Sequence, residues 1–312
     1  MKNNSREQKP PWLKTHHLAG AAHERARRLL AKGGLHTVCR EARCPNLWDC
    51  FSRDTAAFLI LGNRCTRNCR FCAVAEGIPA PHDPEEPRRV AAAARDLRLD
   101  YVVVTSVTRD DLQDGGASSF AATIHEVRAL CPGAGIEVLS PDFLGSQEAL
   151  GTVIAARPDV LNHNIETVSR LYETVRPEAS YERSLDVLRN SKTRSPALTT
   201  KSGIMLGLGE EPHEVHRTLH DLFDAGCDIL TIGQYLQPTS AALDVSRYVT
   251  PEEFDDWNLT ARRMGFAAVA AGPHVRSSFR ARELHRFAVR SRTLSSPLPS
   301  RANTISSHAG DD

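Results

Sequence analysis

Residues 56–72 read AAFLILGNRCTRNCRFC, an apolar run followed after a short polar break by three cysteines. The run at 56–62 is short and almost continuously apolar, which is typical of a β-strand buried on both faces. Five similar runs follow along the chain: YVVVTSV (101–107), IEVLSPD (136–142), DVLNHNIE (159–166), TKSGIMLG (200–207) and DILTIGQY (228–235). The opening stretch therefore contains the first of six predicted strands, with cysteines at its carboxyl end.

Segments with helical periodicity lie between these strands, at 88–98, 117–130, 145–156, 180–190 and 212–225, and another follows at 251–264. Strands that alternate with amphipathic helices predict a parallel α/β sheet covered by helices. Six such units favour a partial (β/α)6 TIM-type barrel over an open doubly wound sheet, although the pattern alone leaves both open. Polar groups such as TSVTRDDLQDGG, NHNIET and GQYLQPT follow or close strands, at the end where β/α barrels place their chemistry.

The flanks of the predicted barrel differ from it in composition. We predict an N-terminal extension (1–54), the partial barrel (55–270), a C-terminal segment (271–290) and a Ser/Pro-rich disordered tail (291–312). Within the extension, residues 1–18 are polar and are expected to form a loosely ordered arm.

The overall composition narrows the classes of function. The 312 residues include 39 basic and 38 acidic side chains, a balance that argues against general binding to nucleic acid or a membrane surface. No run approaches the ~20 apolar residues that span a bilayer, and the N-terminus has no apolar signal core. We therefore expect a cytoplasmic protein, in whose reducing surroundings clustered cysteines are metal ligands rather than disulfides.

The cysteines Cys65, Cys69 and Cys72 are spaced C-x3-C-x2-C directly after the first strand. Structural zinc sites usually close with four protein ligands, and four-iron clusters also normally take four cysteines. Three thiolates on such a cluster leave one iron unclaimed by the protein, and an open position is the mark of a catalytic site. The alternative is a structural zinc site that another Cys or a His completes.

A second triad, Cys39, Cys44 and Cys50, has the spacing C-x4-C-x5-C, which common zinc modules do not use. Charged and polar residues surround these thiols and Pro45 interrupts any helix, so three unrelated buried cysteines are a poor explanation. We interpret this triad as the protein ligands of a second iron–sulfur cluster.

The run CTRNCRFC, with the aromatic Phe71 before its last cysteine, resembles the signature of the radical S-adenosylmethionine (radical SAM) superfamily. The resemblance implies a [4Fe–4S] cluster on Cys65, Cys69 and Cys72, with SAM on the fourth iron and reductive cleavage of SAM to a 5′-deoxyadenosyl radical. It also implies the partial barrel, which is that superfamily's core fold.

Together with the paired triads, the segments TSVTRDDLQDGG, NHNIETV, TKSGIMLGLGE, ILTIGQYLQPT and GPHVRSSF resemble the lipoyl synthase family over residues 36–285. The resemblance implies insertion of two sulfur atoms, at C6 and C8, into an octanoyl chain on a lysine of a lipoyl carrier domain. The sulfur comes from an auxiliary [4Fe–4S] cluster on Cys39, Cys44 and Cys50, which is consumed. In this family a serine from an R-S-S-Y motif completes that cluster, and the role carries to Ser278, or in the other register to Ser277.

The same resemblance implies partners. These are octanoylated carrier domains (dehydrogenase-complex E2 subunits or the glycine-cleavage H protein), an electron donor such as flavodoxin or ferredoxin, and an iron–sulfur cluster carrier for repair. Competing interpretations are a biotin-synthase-like sulfur-inserting enzyme and a zinc-stabilised binding protein.

The candidates for SAM contacts follow the predicted strands. The segment Asp114, Gly115 and Gly116 resembles the glycine-rich segment that approaches the methionine part of SAM in the superfamily. Asn164 and Glu166 share one face if their segment is a strand, and Arg176 is a candidate partner for the SAM carboxylate. His163 then faces the other way and is expected to pack in the core.

Three positions depart from the family pattern. Ala73 stands where an acidic residue is usual, Phe279 replaces the tyrosine of R-S-S-Y, and Trp48 replaces a smaller residue. None of them removes a proposed cluster ligand.

Overall fold

Parallel strands form the centre of the protein, whose computed structural model describes residues 9–14, 21–44, 46 and 57–295. The strands are β1 (His36–Thr37), β2 (Ala57–Ile60), β3 (Arg64–Cys65), β4 (Ala75–Glu76), β5 (Tyr101–Ser106), β6 (Gly135–Leu139), β7 (Val160–Asn162), β8 (Thr199–Leu206), β9 (Ile229–Gln234) and β10 (Ala268–Gly272). Eight of them form one sheet in the order β1-β2-β5-β6-β7-β8-β9-β10, and β3 pairs with β4 separately. In the large sheet β1 is antiparallel to β2 and all other neighbours are parallel.

This sheet confirms the predicted partial barrel, because all six predicted strands are present in order and, among the described strands, β1 and β10 do not pair with each other. The sequence did not predict β10 as a strand. It adds a seventh parallel strand beside β9, in the register Ala268↔Ile229 to Gly272↔Gly233.

Helices cover the outer face of the sheet. They are α1 (Ala21–Lys32), α2 (Val38–Glu41), α3 (Glu86–Asp96), α4 (Ala117–Leu130), α5 (Gln147–Ala155), α6 (Tyr172–Val175), α7 (Tyr181–Arg194), α8 (Pro212–Asp224), α9 (Pro251–Met264) and α10 (Ala281–Ser295), with short 3-10 turns at Pro11–Leu13, Phe143–Gly145 and Ser169–Leu171. Local sequence sets their ends: in α9 the Thr250 hydroxyl accepts from the Glu253 N–H at 3.3 Å, and the Glu253 carboxylate accepts from the Thr250 N–H at 3.1 Å.

The apolar core lies between the sheet and these helices. Val104 and Ile136 of the sheet and Phe120 and Val127 of α4 are all 0% exposed. Burial of one such side chain contributes about 1.5–3 kcal/mol, so this layer holds the helices against the strands.

Helix α10 covers the amino-terminal end of the barrel interior. Its Ala288 packs with Ile229 and Ala268, the first residues of β9 and β10, and its His285 ring lies 6.0 Å from that of Tyr101 at the start of β5. The prediction of a disordered tail from residue 291 is therefore wrong for 291–295, which complete this helix; residues 296–312 lie outside the described part.

The N-terminal extension packs onto the barrel. Leu13 is buried, and the His274 ring Nε2–H donates to the Trp12 carbonyl at 3.0 Å. The expectation of a loosely ordered arm is thus wrong for residues 9–14, because this contact and the burial of Leu13 fix them. None of the helices in the described part of the chain has the length and apolarity that crossing a membrane requires.

Candidate active site

A cavity of about 490 Å³ lies at the carboxyl ends of the parallel strands, a volume in the range of small-molecule sites. Its wall contains the five described cysteines of the two triads together with the C-terminal serines: Cys39, Cys44, Cys65, Cys69, Cys72, Ser277 and Ser278. Cys50 lies outside the described residues, as does Trp48. Described cysteines of both triads and a segment more than two hundred positions away in sequence thus line one cavity.

The loop that carries Cys65, Cys69 and Cys72 follows β2 as predicted. The Thr108 N–H donates to Cys65 Sγ at 3.3 Å and the Val74 N–H to Cys72 Sγ at 3.4 Å, contacts that stabilise a thiolate. Burial raises the pKa of Cys72 to about 12. Burial also raises the pKa of Cys69, an effect that the Arg176 guanidinium beside it partly offsets. The Cys69 and Cys72 thiols therefore keep their protons at neutral pH, and metal binding must release them.

Arg67, within the same loop, is a residue that the sequence reasoning missed. Its side chain is 4% exposed and binds Asp110 at 2.6 Å and Asp142 at 2.7 Å, while Arg183 binds the other Asp142 oxygen at 2.7 Å. Burial acts to raise the pKa of Asp142, but the hydrogen bonds from Arg67 hold it well below its usual range. This ion pair ties the cysteine loop to the ends of β5 and β6.

Asn164, Glu166 and Arg176 come together in the cavity wall. Asn164 Nδ2 donates to Glu166 Oε1 at 2.9 Å, and Arg176 Nη1 donates to the Asn164 carbonyl at 3.0 Å. Burial raises the pKa of the Glu166 carboxyl, with Arg176 and Asn164 acting in the opposite direction.

Asn164 and Glu166 do not come together by the strand alternation predicted from the sequence. Strand β7 ends at Asn162, and Glu166 adopts a left-handed backbone with φ 67°. Glu166 is held there by β8, because its N–H donates to the Gly203 carbonyl at 2.9 Å and its carbonyl accepts from the Met205 N–H at 2.8 Å. A strained non-glycine residue in a cavity wall is typical of functional sites.

The predicted SAM-contact segment Asp114, Gly115 and Gly116 does not line the cavity. The Asp114 carboxylate instead accepts the Gly116 and Ser118 N–H groups at 2.9 and 2.8 Å, which forms the turn into α4. Gly116 has φ 89°, and a Cβ there would collide with the Leu61 side chain. These glycines are therefore explained by the turn and its packing.

The first triad approaches the C-terminal segment. Cys39 lies on α2, and the Cys44 N–H donates to its carbonyl at 3.0 Å. The Asn46 side chain donates to the His274 carbonyl at 2.6 Å. Burial raises the pKa of Cys44, and the nearby Arg276 cation acts to lower it. A cation beside these thiols suits an anionic cluster.

Several buried polar atoms in the cavity wall have no hydrogen-bond partner among the described residues: Ser106 Oγ, Ser140 Oγ, Asn162 Oδ1, His163 Nε2 and Arg176 Nε. Buried polar groups are nearly always paired, so these donors and acceptors fit a polar ligand that fills the cavity. His163 packs as expected, with Nδ1 2.9 Å from the Ser140 carbonyl oxygen, but its ring also lines the cavity. No sequence signal indicated this second position.

Taken over the described ranges, no three His, Cys, Asp or Glu side chains converge as a single metal ion requires. The residues present nevertheless fit two clusters and SAM. The thiols and the cations beside Cys44 and Cys69 suit anionic clusters, and the unpaired polar atoms of the wall suit SAM.

Family models match most of the barrel and the extension. The model of the "Radical SAM superfamily" matches residues 59–222, and that of the "N-terminal domain of lipoyl synthase of Radical_SAM family" matches residues 1–44.

Curated relatives match along nearly the whole chain. A lipoyl synthase of Caldanaerobacter subterraneus subsp. tengcongensis is 56% identical over 273 residues, 88% of this chain and 95% of that protein. One of Chlorobaculum parvum is 53% identical over 280 residues, 89% of this chain and 96% of that protein.

Solved structures share the fold at low identity. Methylornithine synthase has a TM-score of 0.53 at 15% identity, covering 82% of this chain and 76% of that one. Streptococcus suis SuiB bound to S-adenosylmethionine has a TM-score of 0.54 at 10% identity, covering 79% and 54%.

Proposed function

This chain belongs to the lipoyl synthase family of the radical SAM superfamily, and we propose that it inserts sulfur at C6 and C8 of an octanoyl chain attached to a lysine of a lipoyl carrier domain. The observation that carries the proposal is the single cavity whose wall holds cysteines of both triads and Ser278. An enzyme that makes a radical at one cluster and takes sulfur from another needs both beside the same substrate carbon.

The second triad supports the radical site. Cys65, Cys69 and Cys72 would hold a [4Fe–4S] cluster and leave one iron for SAM, since they supply three of its four ligands. With SAM this cluster supplies a 5′-deoxyadenosyl radical, which removes hydrogen from carbons that carry no acidic proton. The backbone N–H groups that reach Cys65 and Cys72 orient the thiolates.

Glu166 and Arg176 suit the charged ends of SAM. The half-buried Glu166 carboxylate can accept from the SAM amino group, and the unpaired Nε of Arg176 can donate to the SAM carboxylate. Because the site is shielded from water, each such contact is stronger than at the surface.

Ser278 rather than Ser277 is the better candidate for the serine ligand of the auxiliary cluster. The Ser277 hydroxyl already accepts from Asn162 Nδ2 at 2.7 Å and donates to Asn164 Oδ1 at 2.9 Å. The Ser278 hydroxyl has no such pair of hydrogen bonds to the described residues, and it lines the same cavity wall. With Cys39, Cys44 and Cys50 it would hold the cluster that serves as the sulfur source.

The remaining wall suits the rest of the substrate. Leu59, Val103, Val107, Leu139 and Ile204 line the cavity, and these apolar side chains match an octanoyl chain. Burial of that chain excludes water from the radical intermediate.

The partners follow from this reaction. We propose an octanoylated carrier domain, of a dehydrogenase-complex E2 subunit or the glycine-cleavage H protein, as substrate. A low-potential donor such as flavodoxin or ferredoxin supplies electrons, and an iron–sulfur carrier rebuilds the consumed cluster. Clustered thiols that must stay reduced favour the cytoplasm.

An assay on an octanoylated lysyl peptide tests the proposal after anaerobic reconstitution with iron and sulfide. With SAM and a reductant we expect 5′-deoxyadenosine and a peptide that has gained two sulfur atoms, both measured by mass spectrometry. Absence of 5′-deoxyadenosine refutes the radical assignment, and 5′-deoxyadenosine without sulfur insertion refutes the lipoyl assignment.

A further inference from the structure

The Ser277 hydroxyl lies between two asparagine side chains of the barrel. It accepts from Asn162 Nδ2 at 2.7 Å and donates to Asn164 Oδ1 at 2.9 Å. The carboxylates beside these amides fix their orientation, because Glu137 accepts from Asn162 Nδ2 at 3.3 Å and Glu166 from Asn164 Nδ2 at 2.9 Å. The site thus requires one atom that both donates and accepts, which a hydroxyl supplies.

One end of this arrangement is rigid. Glu137 and Lys201 are both 0% exposed, with 2.7 Å between Lys201 Nζ and Glu137 Oε1, and the Tyr101 hydroxyl donates to the other carboxylate oxygen at 3.1 Å. A paired and fully hydrogen-bonded buried charge is costly to move. Asn162 is therefore a fixed anchor for Ser277.

The other end leads to the proposed SAM pocket. Glu166 Oε1 accepts from Asn164, whose carbonyl accepts from Arg176 at 3.0 Å, and the Arg176 cation lies beside Cys69. A SAM amino group bound to Glu166 Oε1 would compete with Asn164 Nδ2 for that oxygen. A rotation of the Asn164 amide in response would take Oδ1 away from Ser277.

Two glycines make room for the close approach of these groups. A Cβ on Gly233 of β9 would collide with the Val275 carbonyl oxygen, and one on Gly203 of β8 would lie 3.0 Å from Asn164 Oδ1. The segment that carries Ser277 is thus seated directly on the strands that form the cavity.

We propose that Ser277 is a positioning residue that couples the SAM pocket to the auxiliary cluster. Its hydrogen bonds to Asn162 and Asn164 hold the adjacent Ser278 in place, and SAM binding weakens the bond to Asn164. The inference rests on the proposed function, in which Ser278 is the serine ligand. The hydrogen bonds run from Glu166 through Asn164 to Ser277, the residue next to Ser278, so a change at the SAM pocket can shift the equilibrium at the cluster ligand. The serine ligand is released most readily when SAM is loaded.

The test measures iron release to a ferrous chelator from the anaerobically reconstituted full chain, with and without SAM. The Mössbauer signal of the oxygen-ligated iron follows the auxiliary cluster separately. In the unmodified protein, SAM should weaken the one hydrogen bond between Ser277 and Asn164 and so make iron release roughly fivefold faster. In Ser277→Ala, release should be fast without SAM and unchanged by it.

Two further variants complete the test. Ser277→Thr keeps a hydroxyl and should restore the SAM dependence. Ser191→Ala removes a buried serine that bonds only within α7, to the Val187 carbonyl at 2.6 Å, and should behave like the unmodified protein. If Ser277→Ala fails to take up the auxiliary cluster, the Ser277→Thr variant decides the question. Iron release that depends on SAM in this variant supports the coupling, and iron release that does not depend on SAM overturns it.

A Ser277→Ala protein that keeps the full SAM dependence overturns the inference. So does an unmodified protein whose oxygen-ligated iron is released at the same rate with and without SAM. Failure of the proposed function is distinguishable, since it shows as an unmodified protein that forms no 5′-deoxyadenosine, or that forms it without inserting sulfur into the peptide.

Discussion

Glu166 is the residue whose surroundings most directly suit a charged ligand. It lies half-buried in the cavity wall at φ 67°, and desolvation raises the pKa of its carboxyl. A cation arriving beside it favours the ionised form and gains a charge-assisted hydrogen bond. The left-handed backbone was not predictable from NHNIET, because strand periodicity places residues 164 and 166 on one face without indicating where the strand ends.

We therefore expect Glu166→Gln to weaken SAM binding. Loss of a hydrogen bond to a charged group costs about 1.5–3 kcal/mol, which corresponds to a roughly tenfold to hundredfold higher Kd. Equilibrium dialysis of SAM against the anaerobically reconstituted protein measures it. The control is Glu173→Gln on α6, at an exposed position, and equal affinity in the two variants contradicts the assignment.

His163 gives the protein a specific pH dependence. Burial lowers its pKa from 6.5 to about 4, and the Arg176 cation acts in the same direction. In the unfolded chain the ring gains a proton near pH 6.5, so between pH 6.5 and 4 the unfolded state binds more protons than the folded state. The free energy of unfolding must fall as pH falls through this window, by at most about 1.4 kcal/mol per pH unit.

Denaturant unfolding of the reconstituted protein at pH 5, 6 and 7 measures this slope. We expect His163→Gln, which cannot titrate, to lose less stability than the unmodified protein between pH 7 and pH 5. Parallel pH profiles of the two proteins contradict a neutral, buried His163.

At the scale of elements, the loop that carries the second triad depends on Arg67. Its removal leaves Asp142, 0% exposed, with Arg183 as its remaining ion-pair partner. Breaking a buried pair in this way costs about 3–5 kcal/mol. We expect Arg67→Ala to lower the free energy of unfolding by roughly this amount and to reduce the iron bound after reconstitution.

Arg88→Ala is the matched control for Arg67→Ala. Arg88 pairs with Glu85 at 3.5 Å, but the side chains are 69% and 63% exposed, and surface pairs contribute about 0–1 kcal/mol. Denaturant unfolding and iron content are measured on both variants. Similar losses in the two would show that Arg67 has no special role in the loop.

Secondary structure was predictable where the apolar pattern was strong. The runs AAFLILG and YVVVTSV contain β2 and β5 because β-branched and large aliphatic residues fill both faces of a buried strand. Strand β10, AVAAG, was missed because three of its five residues are alanines with little strand preference. Helix α10 was not predicted, and its residues 291–295 were assigned to a tail, because its buried face is a narrow stripe that includes Ala281 and Ala288.

The candidate site was predictable only in part. The cysteine spacing indicated two sets of three ligands, each one short of the usual four. Resemblance to a family supplied the roles of these sets and that of Ser278. The segment Asp114 to Gly116, predicted to contact SAM, forms a turn and does not line the cavity, and a glycine pair in a loop does not distinguish these two roles in sequence. Arg67 and His163 were not identified as parts of the cavity and its supports, since their partners lie on other elements and no local spacing predicts them. Ser277 was considered only as the alternative cluster ligand, and its hydrogen bonds to Asn162 and Asn164 were not predicted.

At the scale of the molecule, residues 36–46 of the N-terminal extension and residues 274–278 of the C-terminal segment meet at the barrel. Strand β1 pairs with β2, Asn46 bonds the His274 carbonyl at 2.6 Å, and Cys44 and Ser278 line one cavity with Cys65, Cys69 and Cys72. Contacts between segments this far apart in sequence cannot be predicted from either segment alone. In the proposed function, these contacts place cysteines of both triads beside a common substrate.

Cys44→Ala tests this division of labour most directly. The variant, reconstituted anaerobically and given SAM, reductant and an octanoylated lysyl peptide, is assayed for 5′-deoxyadenosine and for sulfur in the peptide. We predict that 5′-deoxyadenosine still forms, because the second triad is intact, and that no sulfur is inserted. Loss of both products, or sulfur insertion at the unmodified rate, would contradict separate roles for the two triads.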